Sequence, residues 1–212
     1  MYVRDYMASN VITIPSTTLM VDAMEIMKKN DIRRLPVADH GKLVGLVTLS
    51  GLKEASPSAA TSLSIYEMHY LLARVQVKEI MVKNVVTVSP EATIEEAALL
   101  ATRHKIGAMP VVEDGGKVVG IITATDMFNI LLEVLGVGEG GVRLHLLESY
   151  KGKPLGEVTD VINKHRVRII SLFSVTQPQT RRRDLVLRLD TQNPDELIED
   201  FRGRGYTVEI SR

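Results

Sequence analysis

The chain has 212 residues, with 26 Lys and Arg balanced by 26 Asp and Glu, and no Cys. Zero net charge leaves no overall field to recruit nucleic acid or an anionic membrane, and the lack of Cys excludes disulfides, thiolate metal sites and cysteine nucleophiles together. Hydrophobic content of 45% with 25% charged residues is that of a folded soluble protein, not a disordered chain. Met1 to Asn10 carries Arg4 and Asp5 and no apolar core, so a signal peptide is not expected. No apolar run reaches the ~18 residues of a membrane span, and a cytoplasmic location is the expectation.

In chain order, Val3 to Met7 is a short lead-in. Met20, Ala23, Met24 and Met27 then recur at i, i+3, i+4, i+7, the stripe of an amphipathic helix. Leu35 to Gly51, LPVADHGKLVGLVTLSG, reads as strand, tight turn, strand and a step into a helix. Ser56 to Ser62 is a small polar link, and Leu63 to Val75 reads as a further helix. The pattern then starts again. Met7 recurs as Met81, Thr13 as Thr87 and Pro36 as Pro110 at one fixed separation, which grows by a single residue past the turn. Ile94, Ala97, Ala98 and Ala101 mirror the first helical stripe, and Thr93 with Glu96 adds a capping box that the first helix lacks. Gly107 to Asp126, GAMPVVEDGGKVVGIITATD, predicts a strand, a Gly115-Gly116 turn, and a second strand ending at Thr123. A polar cap then leads into a helix from Met127 to about Leu135. Self-similarity on this scale means two copies of one supersecondary unit, residues 1–62 and 63–135.

Gly136 to Gly141 formally contains GxGxxG, but it follows a helix and precedes a strand, the reverse of a dinucleotide fingerprint, and reads as an interdomain linker. Residues 142–212 change pattern. Strands are expected over Val142 to Leu147, Val167 to Val175, Asp184 to Asp190 and Tyr206 to Ile210. Helices are expected over Leu155 to Lys164, with Pro154 in the first turn, and over Pro194 to Arg202, capped by Asn193. The order βαββαβ describes a ferredoxin-like unit, so the fold class is α/β (α+β).

Each copy resembles a CBS domain, and the pair resembles the tandem called a Bateman module. The residues that carry the likeness are Val37 after Leu35-Pro36, Val111 after Met109-Pro110, Gly45-Leu-Val-Thr48, and Gly120-Ile-Ile-Thr123 with Asp126. The resemblance implies a regulatory, non-catalytic module whose cleft takes an adenine nucleotide (AMP, ADP or ATP) or S-adenosylmethionine. Residues 142–212 resemble an ACT domain. That family carries Asp-x-Pro-Gly-x-Leu after the first strand; Ser149 to Leu155 aligns there with Lys153 in place of the glycine, and Arg168-Ile169 stands where Asn-Ile is frequent. A bulky residue at that glycine hinders close approach of a ligand, so the match implies dimerisation rather than amino-acid binding. Two CBS repeats followed by an ACT-like unit resemble the acetoin-utilisation AcuB-type family.

Candidate site residues follow. Asp126, as an acceptor-only carboxylate, can take both ribose hydroxyls in charge-assisted hydrogen bonds. Thr123 can reach a phosphate oxygen, the backbone of Ile106, Gly107 and Ala108 can read the adenine edge, and the small side chains at 107 and 108 leave room for the ring. By resemblance Met81 and Val86 line its other side. The alternative is that Asp126 is only a helix cap and Thr123 only a strand end. In the first copy Gly51 replaces the acid and Arg33-Arg34 replaces Gly107-Ala108, which makes Arg33, Arg34 and Thr48 secondary candidates and predicts one nucleotide site per chain. Arg33-Arg34 is either a solvated corner or an oxyanion contact reaching into the neighbouring site. His40, His69, His104, His145 and His165 lack metal-ligand spacing, Gly-x-Ser-x-Gly is absent, and Arg181 to Arg183 reads as a solvated hairpin tip rather than a nucleic-acid patch. The expected function is a ligand-responsive sensor, with a vacant interaction scaffold as the competing class. A homodimer is expected, together with an unidentified protein target and no nucleic-acid or membrane partner.

Overall fold

Residues 1–55, 74–147 and 155–211 are described by the computed structural model, in which the chain forms two units, Met1–Met127 and Phe128–Arg212. The expected Ser56 to Ser62 link, most of the expected Leu63 to Val75 helix, and the loop from Ser149 through Lys153 and Pro154 lie outside the described residues.

In the first unit the helical stripe forms α2 (Met20–Lys29), which buries Met20, Ala23 and Met27. Strands β1 (Arg34–Asp39) and β2 (Lys42–Thr48) pair antiparallel, joined by His40 and Gly41 at φ 52° and 78°. Two successive positive φ values make the primed turn that suits the twist of a hairpin. A short helix α3 (Leu49–Glu54) follows. The second repeat gives α5 (Ile94–His104), β3 (Ala108–Val112), β4 (Val118–Thr123) and α6 (Ala124–Val134). The predicted capping box is formed: the Glu96 N–H donates to Thr93 Oγ1 at 3.2 Å, and the Thr93 N–H donates to Glu96 Oε2 at 2.8 Å.

The two lead-ins, α1 (Val3–Tyr6) and α4 (Val77–Ile80), are exchanged between the repeats. The Val3 N–H donates to the Ala92 carbonyl at 2.9 Å, and the Ile94 N–H to the Met1 carbonyl at 3.2 Å. Reciprocally, the Val77 N–H donates to the Thr18 carbonyl and the Met20 N–H to the Val75 carbonyl, each at 2.8 Å. Val77 lies within the core of the first repeat, beside Met20, Leu35, Val37 and Leu52. Val3 and Val77 are both fully buried, and complete burial of a valine stabilises by about 1.5–3 kcal/mol. Each repeat is therefore closed by the other's lead-in.

The second unit has the order β5 (Val142–Leu147), α7 (Leu155–Lys164), β6 (Ile169–Thr176), β7 (Arg183–Leu189), α8 (Asp195–Gly203), β8 (Thr207–Ser211). Its four strands form one antiparallel sheet in the order β6-β7-β5-β8. Leu144, Leu146 and Leu187 face Val161, Leu197 and Phe201 of the helices, and Phe201 meets Tyr206 edge to face at 5.7 Å. Two expectations shift. Strand β6 starts at Ile169 rather than Val167, because Arg166 turns to φ 54° to end α7 and the Val167 N–H bonds back to the Ile162 carbonyl. Asn193 does not cap α8: its N–H donates to Thr191 Oγ1 at 3.2 Å, and Pro194 occupies the cap. The Gly-rich stretch lies against this sheet. Gly136 is buried against Ile170 and Arg188, whose guanidinium donates to the Gly136 carbonyl, and Ser171 Oγ donates to the Leu135 carbonyl at 3.0 Å.

Candidate ligand cleft

The cleft takes shape where β4 runs out. The Thr123 N–H and its hydroxyl both donate to Asp126 Oδ2 at 2.7 Å, and the Asp126 N–H returns to Thr123 Oγ1 at 3.3 Å. This reciprocal cap starts α6 at Ala124, three residues before the expected Met127, because Thr123 rather than a later residue supplies the capping oxygen. Among the described residues Asp126 has no other partner. One carboxylate oxygen orders the turn, and the other retains its capacity to accept. The capping and ligand readings of Asp126 are thus compatible.

Thr123 and Thr125 line a cleft of about 810 Å³. Gly107 lies on its wall, and the Gly107 carbonyl accepts the Ala124 N–H at 3.0 Å. Ala108 is buried in β3, paired with Thr123, and the Ile106 N–H is used by the Ala101 carbonyl at the end of α5; neither residue lines the cleft. Arg33 and Arg34 do. The Arg34 guanidinium crosses from the first repeat to the second, with Nη2 2.8 Å from where a Cβ on Gly107 would stand. The Arg34 side chain thus reaches the neighbouring repeat, while Arg33 is exposed.

The remaining wall comes from Ala8, Asn10, Val11 and Ile12, not from Met81 and Val86. Met81 packs its sulfur against Gly45, the neighbouring Val82 exchanges backbone hydrogen bonds with Leu46, and Val86 leads to Val88, which pairs with Val111. The exchange of lead-ins is the cause: Ala8 and Ile121 exchange backbone hydrogen bonds at 3.0 and 3.1 Å, bringing the first lead-in to the second hairpin. The missed residues had a signal in the repeat, since Asn10, Val11 and Ile12 are the counterparts of Asn84, Val85 and Val86. The type of segment was legible but the copy was not.

In the first repeat Thr48 Oγ1 accepts the Gly51 N–H at 3.1 Å, so the cap is built without a carboxylate. A smaller hollow of about 490 Å³ brings Arg33, Arg34 and Thr48 together with Ser50 and Lys53. Its polar lining is basic and hydroxylic, with no counterpart of Asp126.

The fold of the first unit and its shared cleft are those of a tandem-repeat module. The chain belongs to the CBS domain family, whose profile matches residues 3–58 and 77–133, more than half of its length. Among solved structures, the CBS domain pair of protein MJ0100 in complex with 5′-methylthioadenosine and S-adenosyl-L-methionine is 29% identical, with a TM-score of 0.52 over 62% of this chain and 95% of that one. A protein assigned to acetoin utilization (AcuB) from Vibrio cholerae is 32% identical, with a TM-score of 0.54 over 66% of this chain and 96% of that one. CBSX2 in complex with AMP is 26% identical, with a TM-score of 0.52 over 63% and 98%. An inosine-5′-monophosphate dehydrogenase from Korarchaeum cryptofilum is 32% identical over 125 residues, 59% of this chain but only 23% of that enzyme. CBS pairs thus occur both as separate modules and inside enzymes. Among the described residues no helix is long and apolar enough to cross a membrane.

Proposed function

We propose that this protein is a non-catalytic regulatory sensor that takes an adenine nucleotide or adenosyl ligand in the cleft beside Thr123 and Asp126. The observation that carries the reading is the reciprocal Thr123–Asp126 cap: Thr123 lines the cleft, Asp126 is one residue beyond the lining Thr125, and its carboxylate keeps one oxygen able to accept ribose hydroxyls. Val11, Ile12 and Ile121 offer apolar surface for the base, and neighbours with this fold are held in complex with adenosyl compounds and with AMP. Binding acts through a difference in affinity between two arrangements of the repeats. The antiparallel order β6-β7-β5-β8 supports a ferredoxin-like, ACT-like role for the second unit as relay or dimerisation element. Likeness to the AcuB protein supports a place in acetoin utilisation, and the working form is a cytoplasmic homodimer acting on a protein target.

A thermal-shift series with AMP, ADP, ATP and S-adenosylmethionine tests this. A ligand at 100 times its Kd adds about 2.7 kcal/mol, Asp126→Ala removes most of that gain, and Gly51→Ala leaves it in place. The second reading, a ligand-free scaffold, draws on the exposed apolar residues Phe128, Leu131 and Leu132 of α6. It requires that no compound in the series shift the wild-type midpoint.

A further inference from the structure

In the sheet of the second unit, Arg143 of β5 pairs with Arg188 of β7 on one side and with Ser211 of β8 on the other. Leu144, Leu146 and Leu187 alternate with these residues and point into the core under the helices, so the two arginines share the sheet's other face. Like charges directly opposite one another on a sheet are destabilising, and no acid offsets this pair. Among the described residues neither arginine forms an ion pair, and Glu209, opposite His145 on the same face, is bridged to neither. Arg143 sets its guanidinium over the Phe173 ring, with Cζ 5.7 Å from the centroid, and Arg188 gives Nη1 to the Gly136 carbonyl. The Nε atoms of both are buried without an acceptor. Their stems are thus held down on the sheet, while both terminal nitrogens of Arg143 and Nη2 of Arg188 are neither buried nor bonded among the described residues. Ser211 adds a hydroxyl beside Arg143, its Oγ 3.3 Å from His145 Nε2.

We propose that this face of the second unit is a ligand site of its own, holding the dianionic phosphate of a small phosphate monoester between Arg143 and Arg188. It is separate from the cleft of the first unit and does not rest on the adenosyl reading. A carboxylate has two oxygens and one charge, which a single guanidinium fork satisfies. A phosphate dianion has three terminal oxygens and two charges, enough to engage both guanidinium groups and cancel their repulsion. The half-buried Phe173 ring offers apolar surface to the carbon skeleton of the ester. The patch ends at two guanidinium groups, with Glu209 on the same face, so a polyanion finds no basic track to follow. Because Arg188 also holds the Gly136 carbonyl, the ligand and the stretch that leaves α6 share one side chain.

Titration of the isotope-labelled full chain with glycerol phosphate at constant ionic strength, followed by NMR through the arginine Nε–H resonances, tests the site. Saturable shifts of the Arg143 and Arg188 signals are expected, with succinate binding at least about tenfold more weakly. Arg143→Gln weakens glycerol phosphate about ten- to a hundredfold at this site, the worth of one charge-assisted contact. Arg143→Lys, which keeps the stem and the charge without the fork, retains part of the affinity and serves as the test should the Gln variant fail to fold. Arg34→Gln, in the first unit, leaves the Arg143 and Arg188 shifts unchanged. Absence of saturable shifts in the wild type, succinate binding as tightly as glycerol phosphate, or tighter binding of a single-stranded oligonucleotide overturns the inference. So does an affinity at these two arginines that falls in Arg34→Gln or is unmoved by both Arg143 variants.

Discussion

Met7 and Gly120 meet across the two repeats: the Met7 sulfur fills the space that a Cβ on Gly120 would need, and the Ala8 carbonyl stands 3.1 Å from the same point. Met81 and Gly45 repeat the contact, with the Val82 carbonyl also at 3.1 Å. A flexible thioether can yield, whereas a carbonyl held in a backbone pair cannot. Gly120→Ala is therefore expected to destabilise by about 1–3 kcal/mol, as overpacking does. Met7→Ala combined with Gly120→Ala should cost less than the sum of the two, because the smaller side chain makes room. A urea-denaturation double-mutant cycle measures this, and strict additivity would contradict the contact.

Thr123 gives its hydroxyl to the Asp126 carboxylate while accepting the Asp126 N–H. Thr123→Ala removes both, and loss of a cap of this kind costs about 0.5–2 kcal/mol. Thr123→Ser keeps the hydroxyl and should recover most of the loss. Denaturant midpoints of the two variants check it; equal losses would place the effect in the missing methyl instead.

Ser171 and Arg188 hold the chain that leaves α6, through the carbonyls of Leu135 and Gly136. Ser171 is nearly buried, so Ser171→Ala deprives a poorly solvated carbonyl of its donor and is expected to cost about 1–3 kcal/mol. Differential scanning calorimetry should show the loss in unfolding of the second unit, and an unchanged profile would rule out the contribution.

Asp200 receives Lys164 Nζ at 2.7 Å and His165 Nε2 at 3.0 Å, and these hydrogen bonds, that of Lys164 first, hold its carboxyl below the ordinary 3.8. A carboxyl lowered by folding contributes stability above its unfolded value, and that contribution is lost as pH falls through the folded one. Asp200→Asn should melt below the wild type at about pH 6, and the gap should close as the pH drops under 3.8. A gap that stays constant into strong acid would show that the ionised carboxylate is not its source.

Periodicity alone determined most of the local structure. The stripes Met20–Ala23–Met27 and Ile94–Ala97–Ala101, both hairpins and the βαββαβ order are set by side-chain spacing and turn residues, which are local quantities. The missing acid at Gly51 and the arginines at 33 and 34 were equally plain. Tertiary structure decided which copy each lead-in serves. The two repeats carry apolar stripes at the same spacing and lead-ins of the same type, so no local pattern distinguishes a repeat closed by its own segment from one closed by its neighbour's. That choice moved the cleft wall from Met81 and Val86 to Ala8, Asn10, Val11 and Ile12, and set Arg34 beside Gly107. Contacts between residues far apart in sequence form only once the whole module closes, and the shared cleft is made of such contacts.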